Sequence, residues 1–396
     1  MEQNTYKPKP KILRITTVPK SLKTLLKGQL KFMSNNGFDI IGVSGSGKSL
    51  IEVKHNEGVE VFEIEMSRKI TPFKDLKSLL NLYKLIIKEK PTIVHSHTPK
   101  AGTIAMLAAK IANVPIRLHT VAGLPLMETK GIKRRLLIFV EKVTYACATK
   151  IYPNSHALAT FINEKKIVSK SKVKVLANGS SNGIDTDYFK QEKIDSNNLN
   201  NLKKTLRICS SDFVFVFVGR LVADKGINEL IQAFIKLYDV NVKLLLVGNY
   251  EHELDPLLES TCSEINNNSK IISVGYQSDI RPYLALSSCL VFPSYREGFP
   301  NVVMQAGSMG LPSIVTNING CNEIIEEGYN GTIIPVKDAK ALCLVMSKMA
   351  KHHNWRKTMA KNARNKITSN YNQQLVWQAI LAEYQLHLNN LKNENV

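Results

Sequence analysis

The sequence contains no apolar run close to the about 20 residues needed to span a bilayer. Its first residues, MEQNTYKPKPK, include no hydrophobic segment, so we expect no signal peptide. The six cysteines are scattered, without a pair at metal-ligand spacing, which predicts a reduced cytoplasmic protein and no zinc site. Basic residues are not interleaved with stacking aromatics, and no nucleic-acid-binding motif is present, so we expect no nucleic-acid partner.

Acidic residues are scarce in the first half of the chain. Residues 1–190 hold 32 Lys and Arg against 14 Asp and Glu, a net charge of +18, whereas residues 191–396 hold 21 against 19, a net charge of +2. A basic half without a membrane span favours an anionic bilayer or a phosphorylated acceptor as partner. The alternative is that the lysines only solubilise the surface. The length of 396 residues predicts two domains.

Residues 290–315 have the pattern of strand, polar loop, helix and strand. The apolar strand stops at Pro293, the loop contains Glu297, and a helix with one apolar face begins at Pro300. In open α/β sheets such loops hold ligands, because the amides at the helix start attract anions. A carboxylate beside an anion site suggests a ligand with both hydroxyl and phosphate groups, such as a sugar nucleotide.

A second stretch supplies fixed positive charge. The apolar strand 213–218 runs into a glycine-lined turn that contains Arg220 and, five positions later, Lys225. The departure of a diphosphate from a sugar creates negative charge that fixed cations stabilise. These two side chains are therefore predicted to bind a diphosphate.

Together the two stretches resemble the signature of retaining glycosyltransferases of family 4. These enzymes have the GT-B architecture, an α/β fold with two Rossmann-like doubly wound domains that face a central cleft. The family motif has Glu-Gly-Phe-Gly/Pro and a second Glu eight positions after the first; here the two positions are Glu297 and Gln305. The resemblance implies that Glu297 contacts the donor sugar, that Gln305 holds the ribose, and that Arg220 and Lys225 hold the diphosphate. It also assigns to the donor site Gly219, Tyr276, Gly298, Phe299, Pro300 and Asn301.

The resemblance extends to the first half. Members of the polysaccharide-assembly type carry a run similar to His-Ser-His-Thr-Pro-Lys-Ala-Gly at residues 95–102, and an active-site histidine after the next strand. This implies that His119, which the strand predicted over 115–120 delivers to the loop 121–125, orients the sugar or the acceptor. Further candidates for lining the cleft are Lys27, Gly28, Gln29, His97, Lys100 and Gly123. The histidines at 95 and 97 have no third ligand nearby, so no metal site is expected, and no cofactor.

The family architecture implies three parts. Residues 1–190 would form the acceptor-binding domain, residues 191–371 the nucleotide-sugar domain, and residues 372–396 a helix that packs back on the first domain.

Residues 42–49 match the phosphate-binding loop of nucleotide triphosphatases. Such a loop must open a long helix, but Gly58 and the alternating apolar residues after it predict a strand and leave about two turns for a helix. We therefore interpret residues 44–49 as an exposed turn.

Two amphipathic helices carry basic residues. The helix over 22–34 is interpreted as packing against the sheet, with a membrane-surface role as the alternative. The helix over 130–148 is the best candidate for contact with anionic lipid. Residues 173–176 are predicted to form the last strand of the first half.

The sequence thus predicts a metal-independent retaining glycosyltransferase that moves a hexose or N-acetylhexosamine from a UDP-sugar. The acceptor would be a polyprenyl-diphosphate-linked sugar or an oligosaccharide in cell-surface polysaccharide assembly. The enzyme would be cytoplasmic and peripheral on the anionic inner face of the cytoplasmic membrane. Three alternatives remain: a nucleotide-sugar epimerase, a non-catalytic sugar-nucleotide-binding subunit, and a nucleotide triphosphatase that acts through Lys48.

Overall fold

The chain forms two compact units. A computed structural model describes residues 9–67, 71–124, 126, 129–237, 241–251 and 255–393. Unit 1 contains Met1–Asn182 and Gln374–Val396, and unit 2 contains Gly183–Gln373. The first segment of unit 1 ends at Asn182, eight residues before the boundary predicted at 190. Unit 2 ends at Gln373, two residues after the boundary predicted at 371.

Unit 1 is built on a parallel sheet of six strands in the order β3-β2-β1-β4-β5-β6. The strands are β1 Lys11–Ile15, β2 Asp39–Ser44, β3 Glu60–Glu63, β4 Ile93–Ser96, β5 Ile116–Val121 and β6 Lys150–Pro153. The inner strands are buried on both faces, as their continuous apolar sequences require. The order reverses between β1 and β4, which makes this pair the topological switch point of the sheet.

The helices between these strands cover both faces of the sheet. They are α1 Pro19–Leu25, α2 Gln29–Asn35, α3 Lys48–Glu57, α4 Pro72–Glu89, α5 Pro99–Ile111, α6 Gly131–Cys147 and α7 His156–Glu164, with a 3-10 turn at Lys170–Lys172. Alternate residues of β1 show the division: Ile12 packs with α1, α2 and α3, whereas Leu13 packs with α4, α5 and α6.

Three predicted elements of unit 1 differ in the structure. The predicted helix 22–34 is two helices, because Gly28 adopts a φ of 79° between them. Its apolar residues are buried in the core, which confirms the sheet-packing interpretation. Residues 44–49 are not one turn, since α3 begins at Lys48. The predicted strand 173–176 is reduced to a single isolated bridge with β6.

Unit 2 repeats the architecture with the strand order β12-β11-β10-β7-β8-β9. Its strands are β7 Phe213–Val218, β8 Val242–Val247, β9 Ile271–Ser273, β10 Cys289–Phe292, β11 Ser313–Thr316 and β12 Gly331–Ile334. All described pairings in this sheet are parallel. Here the order reverses between β10 and β7, the strands that precede the two predicted donor loops.

Eight helices of unit 2 surround this sheet in the described residues. They are α8 Ser196–Thr205, α9 Ile227–Phe234, α10 Glu259–Asn267, α11 Arg281–Ala285, α12 Asn301–Ser308, α13 Cys321–Ile324, α14 Ala339–Lys351 and α15 His353–Asn370, with 3-10 turns at Gln191–Lys193 and Ala223–Lys225. Helices α14 and α15 are separated by His352.

The C-terminal helix α16, Gln373–Asn393, returns to unit 1. Its residues Val376, Ile380 and Tyr384 are part of the core that α1, α2 and α3 form on the sheet. The Trp377 indole donates a 2.7 Å hydrogen bond to Asn182, and its ring lies where a Cβ on Gly28 would project. The break between α1 and α2 therefore accommodates this tryptophan.

Candidate active site

Lys225 and Glu297 meet at the carboxyl edge of the unit 2 sheet. Lys225 ends the 3-10 turn after β7, and Glu297 lies in the loop between β10 and α12. The lysine Nζ donates to the glutamate Oε1, and the two side chains are 14% and 19% exposed. Because β7 and β10 flank the switch point, this pair lies where open α/β sheets bind ligands.

The two loops are joined to each other around this pair. The amide of Tyr295 donates to the carbonyl of Asp224 at 2.9 Å, and the guanidinium of Arg296 donates to the carboxylate of Asp224 at 2.8 Å. The Ser294 hydroxyl lies 3.3 Å from Glu297 Oε1. These contacts hold the lysine-bearing loop against the glutamate-bearing loop, so the distance between the two charges is fixed by the scaffold.

Glycine permits the close approach of the two loops. Gly226 has a φ of 70°, and a Cβ added there would lie 2.1 Å from the carbonyl oxygen of Pro293. Behind Glu297, the Asn319 side chain donates to the carbonyl of Gly298 at 2.8 Å. The Glu297 loop is thus supported from the strands on both sides of β10.

Arg220 lies on the same sheet edge but is held by a different carboxylate. Its Nη1 donates to Glu251 Oε2 at 2.7 Å, and its side chain is partly exposed. The hydrogen bond to Glu251 raises the pKa of Arg220, with smaller contributions from the charges of Glu251, Asp224 and Glu297. Arg220 is therefore within electrostatic reach of Glu297, and it remains charged at any physiological pH.

Tyr276 and Gln305 are two further residues predicted to bind the donor. Tyr276, beyond β9, is 67% exposed, and its amide is held by the side chain of Asn249 at 2.8 Å. Gln305 lies on α12 and is half-buried; among the described residues its side-chain amide has no hydrogen-bond partner. Both side chains therefore retain their capacity for a ligand.

The other predicted donor residues lie in or beside the same two loops, and their donor roles remain predictions. Phe299 is buried in the unit 2 core, with its ring centroid 5.5 Å from that of Tyr371. The amide of Gly219 donates to the carbonyl of Val247 at 2.9 Å. Pro300 is the buried residue before α12, and Asn301 is the exposed first residue of that helix.

In unit 1, Gln29 and His97 belong to a buried network around Arg14. The Arg14 guanidinium donates to His97 Nε2 at 3.1 Å, to the Tyr384 hydroxyl at 2.9 Å and to the side-chain oxygen of Gln29. His95 Nδ1 lies 2.6 Å from the same hydroxyl. Burial lowers the pKa values of Arg14 and both histidines. The network joins the switch point of this sheet to α16.

His119 lies in the strand predicted for it, but its side chain is buried. It lies within β5 and is 2% exposed, and its Nδ1 is 2.8 Å from the Ser96 hydroxyl. Its ring is so close to α5 that a Cβ on Gly102 would lie 2.3 Å from Cε1. The strand ends at Val121, one residue beyond the predicted end. This placement gives no support to the predicted contact with a sugar or acceptor.

The remaining acceptor candidates in unit 1 are Lys27, Lys100 and Gly123. Lys27 is exposed, and its carbonyl accepts from Asn182 at 3.0 Å. Lys100 forms an ion pair with Asp75, with 2.5 Å between Nζ and Oδ2. Gly123 follows β5 with open space where a Cβ would project. Each of these three positions remains a prediction as an acceptor contact.

The apparent phosphate-binding loop is occupied by a carboxylate of the protein itself. Glu65 accepts from the Ser46 amide at 2.9 Å and from the Ser46 hydroxyl at 2.5 Å. These bonds lower the pKa of Glu65, so it is charged at neutral pH. Glu65 thus already accepts the hydrogen bonds that the amide and hydroxyl of Ser46 could offer to a phosphate.

Four residues around the Lys225–Glu297 pair and Arg220 were missed from the sequence: Ser294, Asp224, Arg296 and Glu251. In unit 1, Arg14 of the buried network was also missed. Asp224 and Arg296 are adjacent to predicted residues and of opposite charge, which is a signal for an ion pair, but only the fold brings them together. Arg14 is a charged residue inside an apolar strand, a pattern that indicates a buried polar network.

Solved structures share this fold. A glycosyltransferase from Rickettsia africae ESF-5 has a TM-score of 0.80 at 20% identity and covers 96% of this chain and 99% of its own. Anabaena Alr3699/HepE, solved in complex with UDP and glucose, has a TM-score of 0.80 at 17% identity over 95% and 99% of the two chains. The predicted GT-B fold class is confirmed.

Sequence comparisons identify the family. Residues 200–366 match the model "Glycosyl transferases group 1", and residues 14–155 match "Glycosyl transferase 4-like". The capsular polysaccharide biosynthesis glycosyltransferase CapM of Staphylococcus aureus is 37% identical over 96% of this chain and 97% of its own. An Escherichia coli UDP-Gal:alpha-D-GlcNAc-diphosphoundecaprenol alpha-1,3-galactosyltransferase is 30% identical over 87% and 88%. The chain belongs to the group 1, family 4-like glycosyltransferases.

A comparison of two glycines tests the contact between the donor loops. Gly226 and Gly310 both have positive φ values, 70° and 78°, but a Cβ on Gly310 would meet its nearest atom at 3.8 Å. We expect Gly310→Ala to lower the free energy of unfolding by about 1 kcal/mol, the cost of the backbone conformation. Gly226→Ala should cost at least about 2 kcal/mol more, because the loops must separate. Equal losses in urea titrations would contradict the contact.

The burial of His119 predicts an acid-sensitive unit 1. Burial lowers the pKa of His119 from 6.5 to about 4. Between these values the unfolded chain binds a proton that the folded chain does not, so the free energy of unfolding falls as the pH falls, by up to about 3 kcal/mol. The measurement is urea unfolding monitored by Trp377 in a Trp355→Phe background. His119→Gln should reduce this pH dependence without abolishing it, because burial also lowers the pKa values of His95 and His97. An unchanged slope would contradict the assignment.

The occupied loop predicts that Lys48 is dispensable. Lys48→Ala should leave sugar transfer within about twofold of the parent rate, since surface substitutions away from a site have small effects. The measurement is sugar transfer from radiolabelled donor. Loss of a nucleoside triphosphatase activity in this variant would instead support the phosphate-binding interpretation.

Proposed function

We propose that this glycosyltransferase transfers a sugar from a UDP-sugar to a polyprenyl-diphosphate-linked acceptor, with retention of the anomeric configuration. The observation that carries the proposal is the Lys225–Glu297 pair at the switch point of unit 2. The names of two relatives support the substrate classes: the Escherichia coli galactosyltransferase, and a 28% identical Campylobacter jejuni enzyme that acts on a diphospho-undecaprenol-linked sugar. The structural likeness to HepE, which was solved with UDP and glucose bound, supports a UDP-sugar as the donor.

The ion pair is also the proposed means of donor recognition. When a diphosphate arrives, Lys225 exchanges the Glu297 carboxylate for phosphate oxygens, and Arg220 does the same with Glu251. The released Glu297 then accepts hydrogen bonds from hydroxyl groups of the sugar. Gln305 would hold the ribose through its amide, and Tyr276 would contact the base.

The transfer step needs no protein nucleophile in this proposal. The bond from the anomeric carbon to the diphosphate oxygen breaks, and the acceptor hydroxyl forms its bond to the same face of that carbon. The departing phosphate oxygen takes the proton of the acceptor hydroxyl, so charge and atoms balance. Lys225 and Arg220 stabilise the negative charge that grows on the diphosphate, which is the contribution that a metal ion supplies in other transferases.

The proposed setting is capsule or other cell-surface polysaccharide assembly. We place the enzyme in the cytoplasm, peripheral on the inner face of the cytoplasmic membrane, because its acceptor would be anchored there. The net charge of +18 on residues 1–190 favours an anionic surface. Unit 1 would hold the acceptor.

The decisive variant is Lys225→Ala. Removal of the cation should lower kcat by at least about 100-fold, because a fixed charge that meets the leaving group acts mainly in the transition state. The measurement is UDP release in the presence of a polyprenyl-diphosphate sugar, after a thermal-shift panel has selected the donor. Lys361→Ala, an exposed lysine on α15, is the matched control and should keep the parent rate.

Near-normal turnover in Lys225→Ala would refute the diphosphate role. Donor binding without UDP release would support the non-catalytic subunit, and conversion of one nucleotide sugar into its epimer would support the epimerase.

A further inference from the structure

The exposed apolar side chains are concentrated on three neighbouring helices. Among the described residues no helix is both long and apolar enough to cross a bilayer. Of the fifteen large hydrophobic side chains exposed in the described residues, eight lie on α4, α5 and α6. These helices share one face of the unit 1 sheet, where α4 and α6 both pack against α5.

Helix α4 has a second apolar stripe directed away from the core. Phe73, Leu76, Leu80 and Ile87 are exposed, and Phe73 is 90% exposed. At the 3.6 residues per turn of an α-helix, these four positions lie within about 60° of one another. The buried residues of this helix, Leu82, Leu85 and Ile86 among them, lie on the opposite side. A solvent-facing helix side is normally polar, so this stripe indicates a contact that the unit itself does not supply.

Helix α6 shows the same arrangement. Ile132, Leu136 and Phe139 are exposed at spacings of four and three residues, and Ile132 is 85% exposed. The buried residues Glu141, Thr144 and Tyr145 lie on the opposite side of the helix. Both helices begin at the carboxyl edge of the sheet, because each follows a strand of a parallel α/β unit. The two stripes therefore run in the same direction along the surface.

The charged residues beside these stripes have one sign. The exposed cations on α4 are Lys74, Lys77, Lys84 and Lys88, and those on α5 and α6 are Lys110, Lys133, Arg135 and Lys142. Within these three helices, all of whose residues are described, no acidic side chain is exposed: Asp75 pairs with Lys100, Glu89 pairs with Lys11, and Glu141 is buried. The outer surface is thus apolar and positive.

We propose that the outer surface of α4 and α6 is the membrane-docking face, with Phe73 and Ile132 inserted among the acyl chains of an anionic bilayer. This inference rests on the proposed function, because a membrane-anchored acceptor is the reason for a membrane contact. Helix α5 lies between the other two and packs against both. The stripes of α4 and α6 therefore lie on either side of α5. The surface differs from the sequence-based expectation in including α4.

The charge pattern favours lipid over a second copy of the chain. A two-fold symmetric dimer through this face would place its eight exposed cations against eight identical ones, which is unfavourable. An anionic bilayer offers negative headgroups to the lysines and acyl chains to the apolar stripes, so both features are satisfied together.

The test is the partition of the purified full-length protein onto vesicles by sedimentation. The parent should bind phosphatidylcholine vesicles that contain phosphatidylglycerol and bind poorly to phosphatidylcholine alone. The double variant Phe73→Ser and Ile132→Ser should lose about tenfold or more of this binding, since two inserted side chains are removed. The control is Ile51→Ser with Leu344→Ser, exposed residues on α3 and α14 that lie outside the face. Circular dichroism verifies that each variant is folded.

The outcomes separate this inference from the proposed transfer reaction. Vesicle binding requires neither donor nor acceptor, so an absence of transferase activity would refute the reaction and leave the surface intact. Binding of the folded double variant equal to that of the parent would overturn the docking face. A parent that sediments as a dimer while the double variant is a monomer would also overturn it, because a second copy would then cover the stripes. Loss of binding in the control pair to the same extent would show that the effect is not specific to this face and would overturn it as well.

Discussion

A lysine from one loop and a glutamate from another hold each other at the switch point of the unit 2 sheet, and the candidate site depends on this pair. Lys225 and Glu297 are both largely shielded from water, so each is costly without the other. The scaffold holds them together through the Asp224–Arg296 ion pair and the close approach at Gly226. A diphosphate can replace the carboxylate with little loss of charge balance, because it is itself an anion. In the proposed function, the Glu297 carboxylate of the resting pair takes the place of the donor phosphate on Lys225.

The switch point of unit 1 has the same topology but a different chemistry. There Arg14 donates to neutral partners, and its closest contacts are a histidine, a tyrosine and a glutamine. Because the tyrosine is Tyr384 of α16, the network ties the C-terminal helix to the centre of the sheet. The two sheets thus have the same strand order but different chemistry at the switch point. Unit 2 has an ion pair that the proposed donor would separate, and unit 1 has a buried network that stabilises the unit.

The elements that could be predicted from the sequence were those with strong local signals. The strand before Arg220 and the strand before Glu297 are unbroken apolar runs, and their loops carry the family signature. The break at Gly28 could not be predicted, because it depends on Trp377, which is distant in sequence and fills the space beside the glycine. The burial of His119 depends in the same way on Gly102 of a neighbouring helix. The family motif therefore predicts which residues lie near the site. Which of their side chains stay accessible depends on tertiary packing.

We infer that, when no donor is bound, the Glu297 carboxylate occupies the position on Lys225 that the donor diphosphate would take. It is tested most directly by calorimetric titration of UDP, the expected product, into the parent and Glu297→Gln. If the carboxylate competes with phosphate, its neutralisation should leave UDP binding as tight or make it about fivefold tighter, as expected from a partly buried pair worth about 1 kcal/mol. Transfer of the sugar should be lost in the same variant. Clearly weaker binding of UDP to Glu297→Gln would contradict the account.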